Sequence, residues 1–185
     1  MTNPYYELKE FLSPKECDSL IKLAQENEFI PSTVYAHNDP TEHVDDTVRK
    51  CDTAPLTIKD MLWLEDRLVN TLKELNYQYL TYELTSIVEL QCLRYTQDSF
   101  FIPHTDLKSL DEDTQRKITF IIQLSDKDDY VGGDLKLYTQ LPPISVSRQR
   151  ASLIAFPSYT LHEVTPLLSG ERYVLIGWCA GPHLM

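Results

Sequence analysis

The spacing of apolar positions changes once along the chain, near residue 77. Ahead of that point the period is helical. Ser13-Pro14-Lys15-Glu16 has the form of a capping box with proline at the first helical position, and Cys17, Leu20, Ile21 and Ala24 then fall on one face. A second helix is predicted from Thr57 to Asn76. There Ile58, Met61, Leu62, Leu68, Val69, Leu72 and Leu75 make a stripe that Asp60, Asp66, Lys73 and Glu74 avoid. Both stripes read as core, as do Met61 and Trp63. Between the helices, Phe29 to Tyr35 predicts an edge strand, and the polar, acidic stretch Ala36 to Asp46, which holds His37 and His43, reads as a mobile loop.

Beyond Tyr77 the pattern shortens to β-favouring runs: Tyr79–Thr85, Ile87–Tyr95, Phe100–Thr105, Lys117–Leu124, Asp134–Thr139, Ala151–Phe156, Leu161–Val164 and Arg172–Cys179. Gly132-Gly133 and Pro142-Pro143 punctuate them as turns. No helical pattern alternates with these strands, which argues against a parallel nucleotide-binding sheet. The prediction is a mainly β fold, a jelly roll buttressed by two or more N-terminal helices.

Length and composition narrow the function classes. At about 150 residues per domain, 185 residues predict one domain, with 1–78 as helical support and mobile loop and 79–185 as the jelly-roll core. A net charge of −11 opposes nucleic acid and anionic membrane as partners. The four cysteines, Cys17, Cys51, Cys92 and Cys179, form no C-x-x-C pair and read as reduced, buried thiols. The opening residues lack a signal-peptide pattern and no apolar run is long enough to span a bilayer, so a cytoplasmic location is expected.

The candidate chemistry begins at His104-Thr105-Asp106, where an imidazole and a carboxylate two residues apart on a strand would share a face. A third ligand is needed. His37 and His43 sit in the polar loop and His183 in the C-terminal tail, which leaves His162, in a β-type segment far downstream. Two imidazoles and a carboxylate form the facial triad that leaves open positions on Fe(II). Arg172 opens an otherwise apolar strand; a guanidinium there either reaches solvent or pairs with an acid such as Glu171, or it grips a bidentate anion.

Taken together, His104-x-Asp106, His162 and Arg172 resemble the Fe(II)/2-oxoglutarate-dependent dioxygenases, in their prolyl 4-hydroxylase-like branch. Leu93-Arg94-Tyr95, Arg116-Lys117-Ile118-Thr119, Leu124-Ser125-Asp126 with Gly133, and the opening Phe11-Leu12-Ser13-Pro14-Lys15-Glu16-Cys17 extend the likeness over most of the chain; residues 30 to 80 match least. The resemblance implies a double-stranded β-helix of the cupin-like kind in which His104, Asp106 and His162 hold iron. It implies that Arg172 and Tyr95 bind the distal carboxylate of 2-oxoglutarate, and that Arg49, Arg116 and Trp178 lie near the substrate. It also implies O2 as co-substrate and ascorbate as a candidate reductant. Oxidative decarboxylation to succinate and CO2 would be coupled to C–H hydroxylation, with a prolyl residue of a peptide or protein as the expected substrate. Arg172 in place of the lysine of collagen-type relatives, and Leu135 after Gly132-Gly133-Asp134, are closer to bacterial and viral members.

Rival readings differ at named positions. A nucleic-acid demethylase of this superfamily would carry a second arginine where this chain has Trp178. A zinc hydrolase would need a general base, and Glu163 should face away from His162 on a strand. Hydroxylation of a free amino acid or other small molecule, and a non-catalytic jelly roll sensing a metal or an organic acid, remain as alternatives.

Overall fold

Helix formation at the N-terminal end follows the local code. In a computed structural model, which describes residues 5–36 and 39–183, helix α1 (Pro14–Glu26) starts at a reciprocal capping box. The Ser13 hydroxyl accepts from the Glu16 amide and the Glu16 carboxylate accepts from the Ser13 amide, and Cys17, Leu20 and Ala24 are buried. Ahead of it runs β1 (Tyr6–Leu8), and after it come β2 (Ile30–Pro31), β3 (Val34–Ala36), β4 (Asp39–His43), β5 (Arg49–Lys50) and β6 (Asp52–Pro55). Helix α2 (Leu62–Leu75) follows a 3-10 turn over Ile58–Met61. The remaining strands are β7 (Ser86–Tyr95), β8 (Phe100–His104), β9 (Thr114–Gln123), β10 (Tyr130–Gly132), β11 (Leu135–Leu137), β12 (Ile144–Ser145), β13 (Leu153–Pro157), β14 (His162–Val164), β15 (Leu167–Gly170) and β16 (Arg172–Pro182).

Four expectations are corrected. Leu62 is not on the helical stripe but 64% exposed, and Trp63, expected in the core, is 46% exposed, while Leu64 is fully buried. Met61 has a non-helical backbone, so the helix restarts after it and its phase runs through Leu64, Leu68, Leu72 and Leu75. Tyr79–Thr85 forms no strand. The chain makes a π turn over Asn76–Leu80, and the Asn76 amide then binds both backbone groups of Tyr82, at 2.9 and 2.8 Å, consuming what a ladder would need. The stretch expected as a loop, Ala36 to Asp46, contributes instead to an antiparallel hairpin of β3 and β4.

The strands form two facing sheets of jelly-roll type, in the order β1-β13-β9-β16-β7-β6-β2 and β12-β11-β14-β8-β5, with β10-β15 as a separate ribbon. Side-chain alternation divides the core in two. Phe120, Ile122, Leu153 and Leu175 pack outward against Leu20, Leu64, Leu68 and Leu72 of the helices. Ile121, Ile154, Phe156, Val174, Ile176 and Trp178 face inward with Leu135, Leu137 and Val164 of the smaller sheet. Covered on both faces, β16 is apolar almost throughout after Arg172, and β9 is buried from Lys117 to Gln123. The few polar residues pointing between the sheets therefore stand out.

Candidate active site

Strand register brings the two histidines together. His104 ends β8, His162 begins β14, and they are directly opposed across the antiparallel pair, with ring centroids 4.2 Å apart. Asp106 lies just past the end of β8 rather than on it. Its backbone N–H donates to the Ser158 carbonyl at 2.8 Å, which turns the chain back so that its carboxylate faces both rings. Oδ1 is 3.7 Å from His104 Nε2 and Oδ2 is 3.5 Å from His162 Nε2. One donor atom from each of the three residues falls within 4.8 Å of the others.

The surroundings fix how each ring presents itself. His104 Nδ1 lies 2.7 Å from the Ile102 carbonyl and His162 Nδ1 lies 2.8 Å from the Thr160 carbonyl. A carbonyl only accepts, so each Nδ1 carries a proton and each Nε2 is the ring atom turned toward Asp106. Burial, reinforced by the neighbouring His162, lowers the His104 pKa to about 4, so the ring is neutral and able to ligate near pH 7. Burial raises the Asp106 pKa, but His162 and His104 outweigh it and hold the carboxyl below its usual value. The Phe101 ring stacks on His104 at 3.5 Å, and Phe156 meets His162 edge-on at 4.9 Å.

A second polar group lies farther along the same interior. Arg172, 2% exposed, opens β16 directly opposite Tyr95, also 2% exposed, at the end of β7. Its Nη2 donates to Gln123 Oε1 at 3.2 Å, while Nε and Nη1 are buried without a partner. Glu171 does not meet it; that carboxylate accepts from the Tyr173 hydroxyl. The guanidinium carbon sits 5.2 Å from the Tyr95 ring centroid. Thr119, beside Asp106, and Gln123, beside Arg172, are on the same face of β9 with Ile121 between them. Four residues of strand span about 13 Å, a gap that an arginine side chain and a short dicarboxylate can fill together.

The remaining expected residues divide. Arg49 enters beside β8: its guanidinium lies 4.9 Å from the Phe101 ring, and it donates to Cys51 Sγ and to the Thr33 carbonyl, each at 3.3 Å. Arg116 is stacked 3.7 Å from the Trp178 ring and is paired with Glu89, with Nε donating at 2.8 Å. The Trp178 indole N–H is buried with no acceptor in hydrogen-bonding geometry. It neighbours the Asp106 carboxylate, which Arg116 also helps keep ionised. Glu163 points away, accepting from the Tyr138 hydroxyl at 2.9 Å. His43 is exposed, His183 lies near the Asp111 carbonyl, and His37 is outside the described residues. The four cysteines are free and buried. Sequence reasoning missed Thr119, Gln123 and Ser158. The signal available was the pair of polar residues that bracket the apolar run Phe120-Ile121-Ile122 in Thr119-Phe120-Ile121-Ile122-Gln123.

Two imidazoles, one carboxylate and a buried cation with unsatisfied donors, set inside a double-stranded β-helix, form a group that could hold one metal ion beside a cation suited to a carboxylate. The sequence model of the 2OG-Fe(II) oxygenase superfamily matches residues 90–180, which hold the triad, Tyr95 and Arg172. That match spans just under half of the chain, and with the triad it makes the chain similar to this superfamily, while the fold is that of solved prolyl hydroxylases. A PKHD-type hydroxylase of Synechococcus sp. (strain CC9605) is 42% identical over 72 residues, 35% of this chain. The matched stretch spans 29% of that relative's length. Among solved structures, the viral collagen prolyl hydroxylase of Paramecium Bursaria Chlorella virus-1 superposes with a TM-score of 0.71 at 19% identity, covering 97% of each chain. The prolyl hydroxylase of Trichoplax adhaerens, solved with a hypoxia inducible factor peptide fragment, gives 0.76 at 20% identity, covering 96% of this chain and 84% of its own. The superfamily's Fe(II) fits the donor set, and its 2-oxoglutarate fits the orphaned guanidinium N–H groups of Arg172. No helix among the described residues is long and apolar enough to cross a membrane.

Proposed function

We propose that residues 1–185 act as one catalytic domain, an Fe(II)- and 2-oxoglutarate-dependent hydroxylase of a peptide or protein, with a prolyl residue as the group modified. The observation that carries this reading is the pairing of the His104, Asp106 and His162 cluster with a fully buried arginine two of whose nitrogens have no partner. Burial of an unpaired guanidinium is costly unless an anion completes it. The chemistry that Fe(II), 2-oxoglutarate and O2 supply when bound is decarboxylation of the keto acid to succinate and CO2, coupled to insertion of an oxygen atom into a substrate C–H bond.

The protein's share is placement. His104 and His162 present Nε2 because their Nδ1 protons are tied to carbonyls, and Asp106 contributes the charge that a divalent ion requires. Arg172, steadied by Gln123 and lying over Tyr95, receives the distal carboxylate, and Tyr95 adds a hydroxyl in a fully buried position. The apolar inner rows of β13 and β16, with Ile121 of β9, exclude water around the reacting groups. Arg49 and Arg116 stand on the two sides of the ligand cluster, and exposed Leu107 and Tyr159, adjacent in sequence to Asp106 and Ser158, provide apolar rim on which an extended chain can rest. The prolyl hydroxylase-like branch and the peptide complex of the Trichoplax protein favour a peptide over a free small molecule.

The test is succinate formation from 2-oxoglutarate under Fe(II), O2 and ascorbate, stimulated by candidate peptides. Asp106→Ala is expected to reduce it by more than about 100-fold, the upper range for losing a metal-site partner; equal rates in the two proteins would remove the enzymatic reading. Mass spectrometry should show one added oxygen on proline-containing peptides. Succinate without peptide oxidation would redirect the assignment to a free amino acid or another small molecule.

A further inference from the structure

Beyond its three ligands, the cluster contains a hydroxyl relay whose direction is fixed. Thr119 Oγ1 lies 2.9 Å from Asp106 Oδ2, and Ser158 Oγ lies 3.1 Å from Thr119 Oγ1. Thr119 and Ser158 are fully buried, and Asp106 is 8% exposed. An ionised carboxylate only accepts, so Thr119 must donate to it; the Thr119 oxygen is then free to accept from Ser158. Ser158 also holds Asp106 through the backbone, its carbonyl accepting the Asp106 N–H at 2.8 Å, and its own N–H donates to the Lys117 carbonyl at 2.9 Å. One residue of the β13–β14 turn and one of β9 thus grip both the main chain and the side chain of Asp106.

We infer that Thr119 is a positioning residue for the metal site: its hydroxyl, polarised by Ser158, locks the Asp106 carboxylate in the rotamer that faces both Nε2 atoms. No other hydroxyl among the described residues fulfils this role for Oδ2. Asp106 lies beyond the end of β8, so no strand pairing restrains its side chain. A carboxylate without the relay is free to rotate about its side-chain bonds, and the ordering lost is recovered at the expense of metal affinity. Valine has the shape of threonine without the donor, serine keeps the donor, and cysteine is a weak donor of similar size.

This inference rests on the metal-site reading, and its test separates the two. Mn(II) binding is titrated without 2-oxoglutarate or substrate, so no turnover enters. Asp106→Ala is expected to abolish binding. Thr119→Val is expected to weaken it about 10- to 100-fold, Thr119→Cys by a smaller factor, and Thr119→Ser to remain within about 3-fold of the parent. Ser158→Ala, which removes only the polarising hydroxyl, should weaken it less than Thr119→Val. The visible absorption of the Co(II) form should change in Thr119→Val and be restored in Thr119→Ser, a signature that a purely structural role would not move. Parent-like Mn(II) affinity in Thr119→Val, with Asp106→Ala unable to bind, overturns the positioning role alone. Parent-like affinity in Asp106→Ala overturns the metal site itself. Should Thr119→Val not fold, parent-like affinity in Thr119→Cys overturns the positioning role in its place.

Discussion

Arg172 illustrates how a single side chain can be placed against its own stability. It is among the largest fully buried side chains, yet only one of its three nitrogens has a partner, the neutral Gln123. A buried cation that is not matched by a carboxylate raises the energy of the folded state, and replacing such groups with apolar ones of similar volume stabilises by about 1–4 kcal/mol. Arg172→Met is therefore expected to raise the melting temperature of the metal-free protein, by about 2–4 °C per kcal/mol for a chain of this size. The same variant should lose binding of 2-oxoglutarate to the Mn(II)-loaded protein in calorimetric titration. A fall in melting temperature would show that the guanidinium is internally satisfied. The neutrality of Gln123 matters to this balance: a carboxylate there would complete the arginine and leave nothing for a ligand to do.

Strands β7 and β16 show the same economy in an element. Their register shifts between Ile176 and Trp178, opposite Glu89, whose φ of 54° lies in the left-handed region. The bulge leaves Glu89 facing Arg116, which it binds through Nε at 2.8 Å, and Lys108, at 3.5 Å, and Arg116 in turn lies over Trp178. Gly177 permits the close approach on the other strand: a Cβ there would stand 2.6 Å from Phe120 Cζ and 2.8 Å from Leu90 Cδ2. Gly177→Ala is expected to cost about 1–3 kcal/mol through overpacking, measured as a lower urea midpoint at unchanged m-value. An unchanged midpoint would mean that the Phe120 ring can move aside.

At the scale of the whole molecule, the site's charge state couples folding to pH. The folded state holds His104 at a pKa of about 4, against 6.5 for the free side chain. Between those values the unfolded chain binds a proton that the folded one does not, so stability falls as pH drops from about 6.5 to 4. Asp106 extends the loss: its lowered pKa contributes stability above the usual 3.8 that disappears as pH falls through the folded value. Denaturant unfolding of the metal-free protein at pH 7, 5.5 and 4.5 should show this decline, and His104→Gln should flatten it. A slope that His104→Gln leaves untouched would assign the decline to other groups.

What the sequence determined by itself was whatever depends on near neighbours. The Ser13–Glu16 capping box and the β-favouring runs of β9, β13 and β16 could be read locally, because helix caps and strand faces are local properties, whereas His104, Asp106, His162 and Arg172 stood out only through the resemblance of their joint order and spacing to a known family. Local patterning failed at Tyr79–Thr85, where the Asn76 side chain captured the backbone, and at Leu62, where an interruption at Met61 reset the helical phase. Only the tertiary structure decided that His104 stands opposite His162 and Arg172 opposite Tyr95, since register between strands distant in the chain is set by how both faces of the sheets are buried. It alone brought Thr119 and Ser158 to Asp106 and left Arg172 without a carboxylate partner. Buried polar groups find or lack partners in three dimensions, and a linear sequence does not contain that arrangement in any single segment.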